Sequence, residues 1–232
     1  MIAIENVLTT SQIVVLLCVL AVVILGWMII MYRQNSGQDL RSAFKKSRAK
    51  DYHNVKTGEY VRLHGRVLAI KEPLIAPLSG RSCMGYEVYV NGVNFKGVKK
   101  VVQDQVISPF NITSGSDLAR IVPTSKGTVK FELQADFTST KKDHEFPKSA
   151  LKAFLKDHQV ELKSETLDHQ QFFSYREAII ALEERIVVKG IALWKTDPKT
   201  QKRYLEITGT YDNPILISDM PGNLRTLPKS VK

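Results

Sequence analysis

Residues able to do chemistry are few and scattered in this chain. Of the two cysteines, Cys18 lies inside an apolar run, and Cys83 opens a strand-like stretch with neither a Gly-rich elbow nor a nearby histidine to take its proton. A thiol so placed is expected to be a buried structural side chain rather than a nucleophile, and two cysteines this far apart make no disulfide framework. The histidines His53, His64, His144, His158 and His169 share no ligand spacing with one another or with a cysteine, whereas zinc needs three or four converging ligands. Glu177, Glu183 and Glu184 could supply paired carboxylates for acid–base work. No sugar-stacking aromatics or framing glycines accompany them, so Glu177 is expected to accept a structural hydrogen bond or ion pair. No stretch ends in the Gly-Lys-Ser/Thr of a phosphate-cradling loop, and Ser125-Lys-Gly-Thr128 reads as a turn. Asn111-Ile-Thr113 fits a glycosylation sequon, which matters only if this part of the chain faces a secretory lumen. The reading is of no catalytic residue, no cofactor and no metal.

The elements that would have to position a site divide the 232 residues sharply. After a short segment, 1–12, the run from Ile13 to Met31 carries no charge. At a rise of ~1.5 Å per residue it matches the roughly 30 Å hydrocarbon thickness of a bilayer. A cleaved signal peptide would begin with Lys or Arg and end in small residues. Here the only charge before the run is Glu5, and Trp27, Tyr32 and Arg33 follow as interfacial anchors. Residues 13–32 are therefore predicted to be a single transmembrane helix.

The net charge of +10 is concentrated beyond that run. Residues 32–71 hold ten basic side chains (Arg33, Arg41, Lys45, Lys46, Arg48, Lys50, Lys56, Arg62, Arg66, Lys71) against Asp39, Asp51 and Glu59. Positive charge beside a span holds that flank in the cytoplasm. The expected placement is the cell (inner) membrane, N-terminus outside, with Arg33, Arg41, Lys45, Lys46, Arg48 and Lys50 facing anionic lipid headgroups. Nucleic acid, which would call for basic residues interleaved with stacking aromatics, is not an expected partner.

Residues 33–57 read as a polar, basic stalk with a short helix over Leu40–Lys50. A β-rich domain over 58–220 follows, then a polar tail, 221–232. Strands are predicted at 61–70, 83–90, 95–102, 106–112, 119–122, 129–135, 185–194, 203–208 and 215–217 from short apolar alternation bounded by Gly, Pro and Ser. Asn91-Gly92 is a tight-turn signal. A helix is predicted to start at Pro147, with Ala150, Leu151, Phe154 and Leu155 on one face and Lys148, Lys152 and Lys156 on the other. Tyr175–Glu184 stays open between a short helix and a loop. The fold class is α+β, mainly antiparallel, with strands that could curl into a partly closed barrel.

Three stretches resemble the membrane-adjacent (BAM) domain of the GIDE/MULAN family. Gly65-Arg-Val-Leu-Ala-Ile70, leading into Leu74-Ile-Ala-Pro-Leu-Ser-Gly-Arg-Ser-Cys83 and Tyr86, looks like the family's opening and brings Gly65, Pro77, Gly80, Cys83 and Tyr86. Pro109-Phe110 through Asp117-Leu-Ala-Arg-Ile-Val-Pro123 is similar to its middle strand pair. Tyr175-Arg-Glu177 with Ile186, Val188 and Gly190 is similar to its third motif, except that Glu183 stands where the pattern has glycine. The resemblance covers roughly 60–220. The ubiquitin-ligase members act through a C-terminal RING with two zinc ions, and this chain carries no such Cys/His array. It therefore implies a membrane-anchored, non-enzymatic sensor or protein-interaction module. The alternatives are a component of a ubiquitin-ligase-like system whose catalysis a partner supplies, or a lipid-binding domain. The expected partners are the membrane and an unidentified protein.

Overall fold

The computed structural model describes residues 19–20, 24, 26, 38–45, 47–94, 97–125, 128–139, 149–160, 172–198 and 201–224. Most of the expected span thus lies outside the described residues; Val19, Leu20, Ile24 and Gly26 are helical and exposed. No helix among the described residues is long and apolar enough to cross a membrane. The chain divides into one unit ending at Arg41 and a second over Ser42–Lys232.

The second unit is mostly antiparallel β. Its elements follow α1 (Gln38–Lys45), which straddles the unit boundary, and a 3-10 turn at Tyr52–Asn54. They are β1 (Tyr60–Ala69), β2 (Leu74–Ile75), β3 (Ser82–Asn94), β4 (Gly97–Ile107), β5 (Phe110–Ser114), β6 (Asp117–Ile121), β7 (Val129–Glu132) and β8 (Phe137–Thr138). Then come α2 (Ser149–Asp157), β9 (Phe172–Ala181), β10 (Arg185–Thr196), β11 (Arg203–Thr208), β12 (Ile215–Ser218) and α3 (Pro221–Leu224).

Five strands close a barrel in the order β1-β5-β6-β11-β10 and back to β1. Every pair is antiparallel except β6 with β11. Counted along the chain, the barrel strands run 1-2-3-5-4-1, the arrangement of an OB-type Greek-key barrel. The barrel closes fully, because β1 pairs with β10 from Tyr60–Ile191 to Arg66–Arg185. Alternate residues point inward: Val61, Leu63 and Val67 of β1 and Ile186, Val188 and Ala192 of β10 pack with Ile112, Ile121, Leu205 and Ile207.

Two of the motif glycines allow that closure. A Cβ on Gly65 would stand 2.7 Å from Thr113 O, and one on Gly190 would stand 2.5 Å from Ile207 Cγ2 and 2.9 Å from Thr208 O. Any side chain there would force the β1–β5 and β10–β11 pairs apart.

A second sheet sits on the barrel. β3 pairs β9 along one edge and β4 along the other, with β2 beside Cys83 and β8 beyond β9. Met84, Ala178 and Ile180 on one face join the barrel core. Val88, Val90, Val102 and Tyr175 on the other meet Leu151, Phe154 and Leu155 of α2. The spacing of these apolar positions in α2 is what made the helix legible; Pro147 and Lys148 lie outside the described residues.

Several expectations are corrected. Tyr175–Glu184, left open between helix and loop, is mainly strand β9 followed by a turn. Asn91-Gly92 is no turn: β3 runs on to Asn94 past a bulge at Val90/Asn91, and both residues pair with β4 and β9. The single strand expected at 106–112 is two, because Ser108-Pro109 ends β4 before β5 begins. Residues 42–57, placed in the stalk, pack on the barrel instead, with Phe44, Tyr52 and Val55 buried. The tail is also anchored at its start, where α3 buries Asn223; residues 225–232 lie outside the described residues.

Candidate functional site

The first and third sequence motifs meet on the second sheet. Glu177 projects from β9 fully buried, with Oε2 accepting the amide of Leu78 at 2.7 Å and Oε1 that of Ser79 at 3.0 Å. Those amides belong to the Ala76–Arg81 loop, which Gly80 closes in the left-handed region (φ +70) while Ala76 N donates to Arg81 O and Gly80 N to Ala76 O. Pro77 lies within the same loop. A carboxylate held by two backbone amides is spent as an acceptor, which is how a buried charge is tolerated.

Cys83 is fully buried beside Ala76 and Ile179, and burial pushes its thiol up to about 11. That is the opposite of the activation a nucleophile needs. Tyr86, half-buried, donates to Asp104 at 3.4 Å. Burial, with Asp104 next, pushes the Tyr86 hydroxyl up to about 12. Tyr175 is buried against Phe137, ring centroids 5.7 Å apart. Gly65 and Gly190 are remote from this cluster, in the barrel wall. Among the described residues no three His, Cys, Asp or Glu side chains converge as a metal would require. Asn111 of the sequon sits mid-strand in β5, paired with Leu68 and Arg120, rather than in a surface loop.

The basic segment divides into covered and open residues. Arg33 and Lys46 lie outside the described residues, and the side chains of Arg41 and Lys45 are not described. Arg48 is exposed, whereas Lys50 is ion-paired with Glu59. The sequence reading missed the cations that matter for architecture. Arg62 on β1 is 1% exposed and donates to Phe44 O (2.6 Å), Ser47 O (2.9 Å) and Asn223 O. Lys189, its cross-strand partner on β10, donates to Ala43 O at 3.2 Å and lies 4.8 Å over the Tyr60 ring. Burial lowers the pKa of both, and Arg62 adds to the effect at Lys189.

Like charges directly opposite on two strands repel. Here both serve the carbonyl end of α1, where backbone C=O groups lack helical partners and the dipole favours cations. Nothing in the local sequence marks either residue, because each takes an outward position of its strand, where a cation is ordinary.

A cleft of about 520 Å³ opens elsewhere, between Gln103–Ile107 of β4 and the segment Pro123–Ser125 with Val129. Gln105 Nε2 crosses it to donate to Val129 O at 3.3 Å. The barrel interior is filled by its own side chains. Compared with known protein families, with characterised proteins and with solved structures, the chain matches none.

Proposed function

We propose that this chain is a non-enzymatic binding module of the GIDE/BAM type, tethered by its N-terminal apolar run to a membrane and held on the cytoplasmic side. The observation that carries the reading is the docking of residues 42–57 through Phe44, Arg62 and Lys189. With the structured unit beginning at Ser42, roughly ten residues separate it from the apolar run, a reach of at most about 35 Å. A tether that short concentrates the module for partners at the bilayer surface. Arg33 and Arg48, with the other juxtamembrane cations, would meet anionic headgroups.

The non-enzymatic part of the reading is supported by how the motif side chains are used. Glu177 is committed to two amides and Cys83 to an apolar cluster.

The test is flotation of the full chain with anionic vesicles after an alkaline carbonate wash, beside a fragment starting at Ser42. The full chain is expected to float and the fragment to stay behind. A full chain left at the bottom of the gradient would end the tether reading.

A further inference from the structure

Among the described residues the long strand β4 hydrogen-bonds along one edge only. Its pairing with β3 runs from Gly97–Asn94 to Ile107–Gly85, and no described strand lies against its other edge. The phase of the ladder is set by Ser108 N donating to Met84 O at 2.9 Å, which makes Ile107 and Gly85 a non-hydrogen-bonded pair. By the same alternation Gln105 opposite Glu87 and Gln103 opposite Tyr89 are non-hydrogen-bonded pairs. The backbone N–H and C=O of Gln103, Gln105 and Ile107 therefore point away from β3, into the cleft.

Open edges are usually blunted by lysine, proline or a bulge. β4 carries those defences at its hairpin end, Lys99, Lys100 and the irregularity opposite Val90/Asn91, and none over Gln103–Ile107. That undefended stretch faces a wall rather than open solvent. The wall contains Val129 at the start of β7, which ends the order of the barrel sheet, so a second strand edge looks back across the cleft. Gln105 Nε2 already donates to Val129 O, a side-chain amide making the kind of bond a backbone amide would make.

We infer that the cleft receives an extended peptide of a partner protein, which adds as a strand beside Gln103–Ile107 of β4 and carries acidic side chains. This deepens the binding-module reading above by naming the surface and the kind of partner, and it rests on that reading. Two facing strand edges ask for the alternating N–H and C=O of an extended chain. The exposed Lys99 and Lys100 of β4 and Lys130 of β7 supply the charge preference. Asp104 also lines the cleft, and its carboxylate is turned to the α2 side, where Tyr86 donates to it and His158 Nε2 lies 3.6 Å away.

The test takes the full chain in detergent micelles through selection against a display library of random twelve-residue peptides, with the selected peptides resynthesised for affinity measurement. Enriched peptides are expected to alternate β-forming residues and to carry Asp or Glu. Gln105→Pro removes an N–H that β3 does not use and should weaken binding at least 10-fold, whereas Gln105→Ala should keep it within about 3-fold. On the unaltered chain, N-methylation of alternate peptide amides should cost a similar factor, a measurement independent of whether the proline variant folds. The inference is overturned if no peptide is enriched, if binding ignores both Gln105→Pro and N-methylation, or if the edge is taken by a second copy in a dimer that Gln105→Pro dissociates. Flotation with vesicles is indifferent to all three changes, so failure of the strand-addition site and failure of the tether are read separately.

Discussion

Glu177 Oε2 accepts the amide of Leu78 at 2.7 Å although 99 residues separate the two in sequence. This bond, with its companion to Ser79, ties β9 to the loop that carries Pro77 and Gly80. Removing the carboxylate leaves the buried Leu78 amide and the part-buried Ser79 amide without their acceptor. Glu177→Ala is expected to destabilise the chain by about 2–4 kcal/mol, since hydrogen bonds to a charged group are worth about 1.5–3 kcal/mol each and do not add fully. Glu177→Gln should recover part of the loss, because one acceptor oxygen remains. Urea unfolding of the three proteins decides it; a Glu177→Ala midpoint equal to the parent's would remove the clamp from the account.

Arg62 and Lys189 together hold the end of α1. Arg62→Lys keeps the charge but cannot serve Phe44 O, Ser47 O and Asn223 O at once. It is expected to cost about 2–3 kcal/mol, and the loss should be local. Hydrogen exchange at Ala43–Ser47 and Asn223–Leu224 should speed up well before that of β10. Uniform acceleration across the barrel would mean that Arg62 supports the core in general and is no clasp.

Stability should fall between pH 5 and pH 8. Burial, then Asp219 and Asp136, push the Glu184 carboxyl up to about 7; burial, then Asp136, pushes Asp219 up to about 6. The Ala181 and Gln134 amides oppose these shifts without cancelling them. Both groups bind protons more tightly folded than unfolded. Their contribution is complete below their ordinary values near 4 and is lost as pH rises through about 6 and 7. Glu184→Gln should flatten that decline, raising stability at pH 8 by on the order of 1–2 kcal/mol after allowance for partial solvent screening. Thermal unfolding at pH 5, 6.5 and 8 gives the comparison; identical slopes for the two proteins would sink it.

The barrel strands β1 and β11 were legible because apolar and polar residues alternate, Val61, Leu63 and Val67 with Arg62, His64 and Arg66, and Leu205 and Ile207 with Glu206 and Thr208, and β10 because Ile186-Val-Val188 is a β-branched run. β9 was not, because it is covered on both sides. Ala178 and Ile180 face the barrel while Tyr175 and Ile179 face away, and Ala178-Ile-Ile-Ala181 is a short apolar run without alternation that looks as much like a helix. Residues 42–57 read as stalk because three apolar anchors are thinly spaced there and the remaining ties run to backbone carbonyls, which sequence does not display. Glu177 was legible as a hydrogen-bond acceptor; its partners, and the open edge of β4, depend on which strands pair and had no local signal.

Glu183 occupies the turn between β9 and β10 at φ +62, a left-handed conformation that suits glycine and strains other side chains. Its backbone is what the turn uses: the amide donates to Val67 O at 2.9 Å, and its side chain is exposed. Glu183→Gly removes the strain and keeps that bond, so it should stabilise the chain by up to about 1 kcal/mol, less the entropy glycine gains when unfolded. Gly65→Ala is the converse case, because its new methyl group would meet Thr113 O at 2.7 Å inside the β1–β5 ladder. It should cost at least about 2–3 kcal/mol, the upper part of the range for overpacking, since backbone rather than a side chain must move. Urea midpoints that shift in opposite directions would establish that the turn tolerates its glutamate at a cost while the barrel wall depends on its glycine. A Glu183→Gly protein less stable than the parent would mean that the side chain makes up in solution for the strained backbone beneath it.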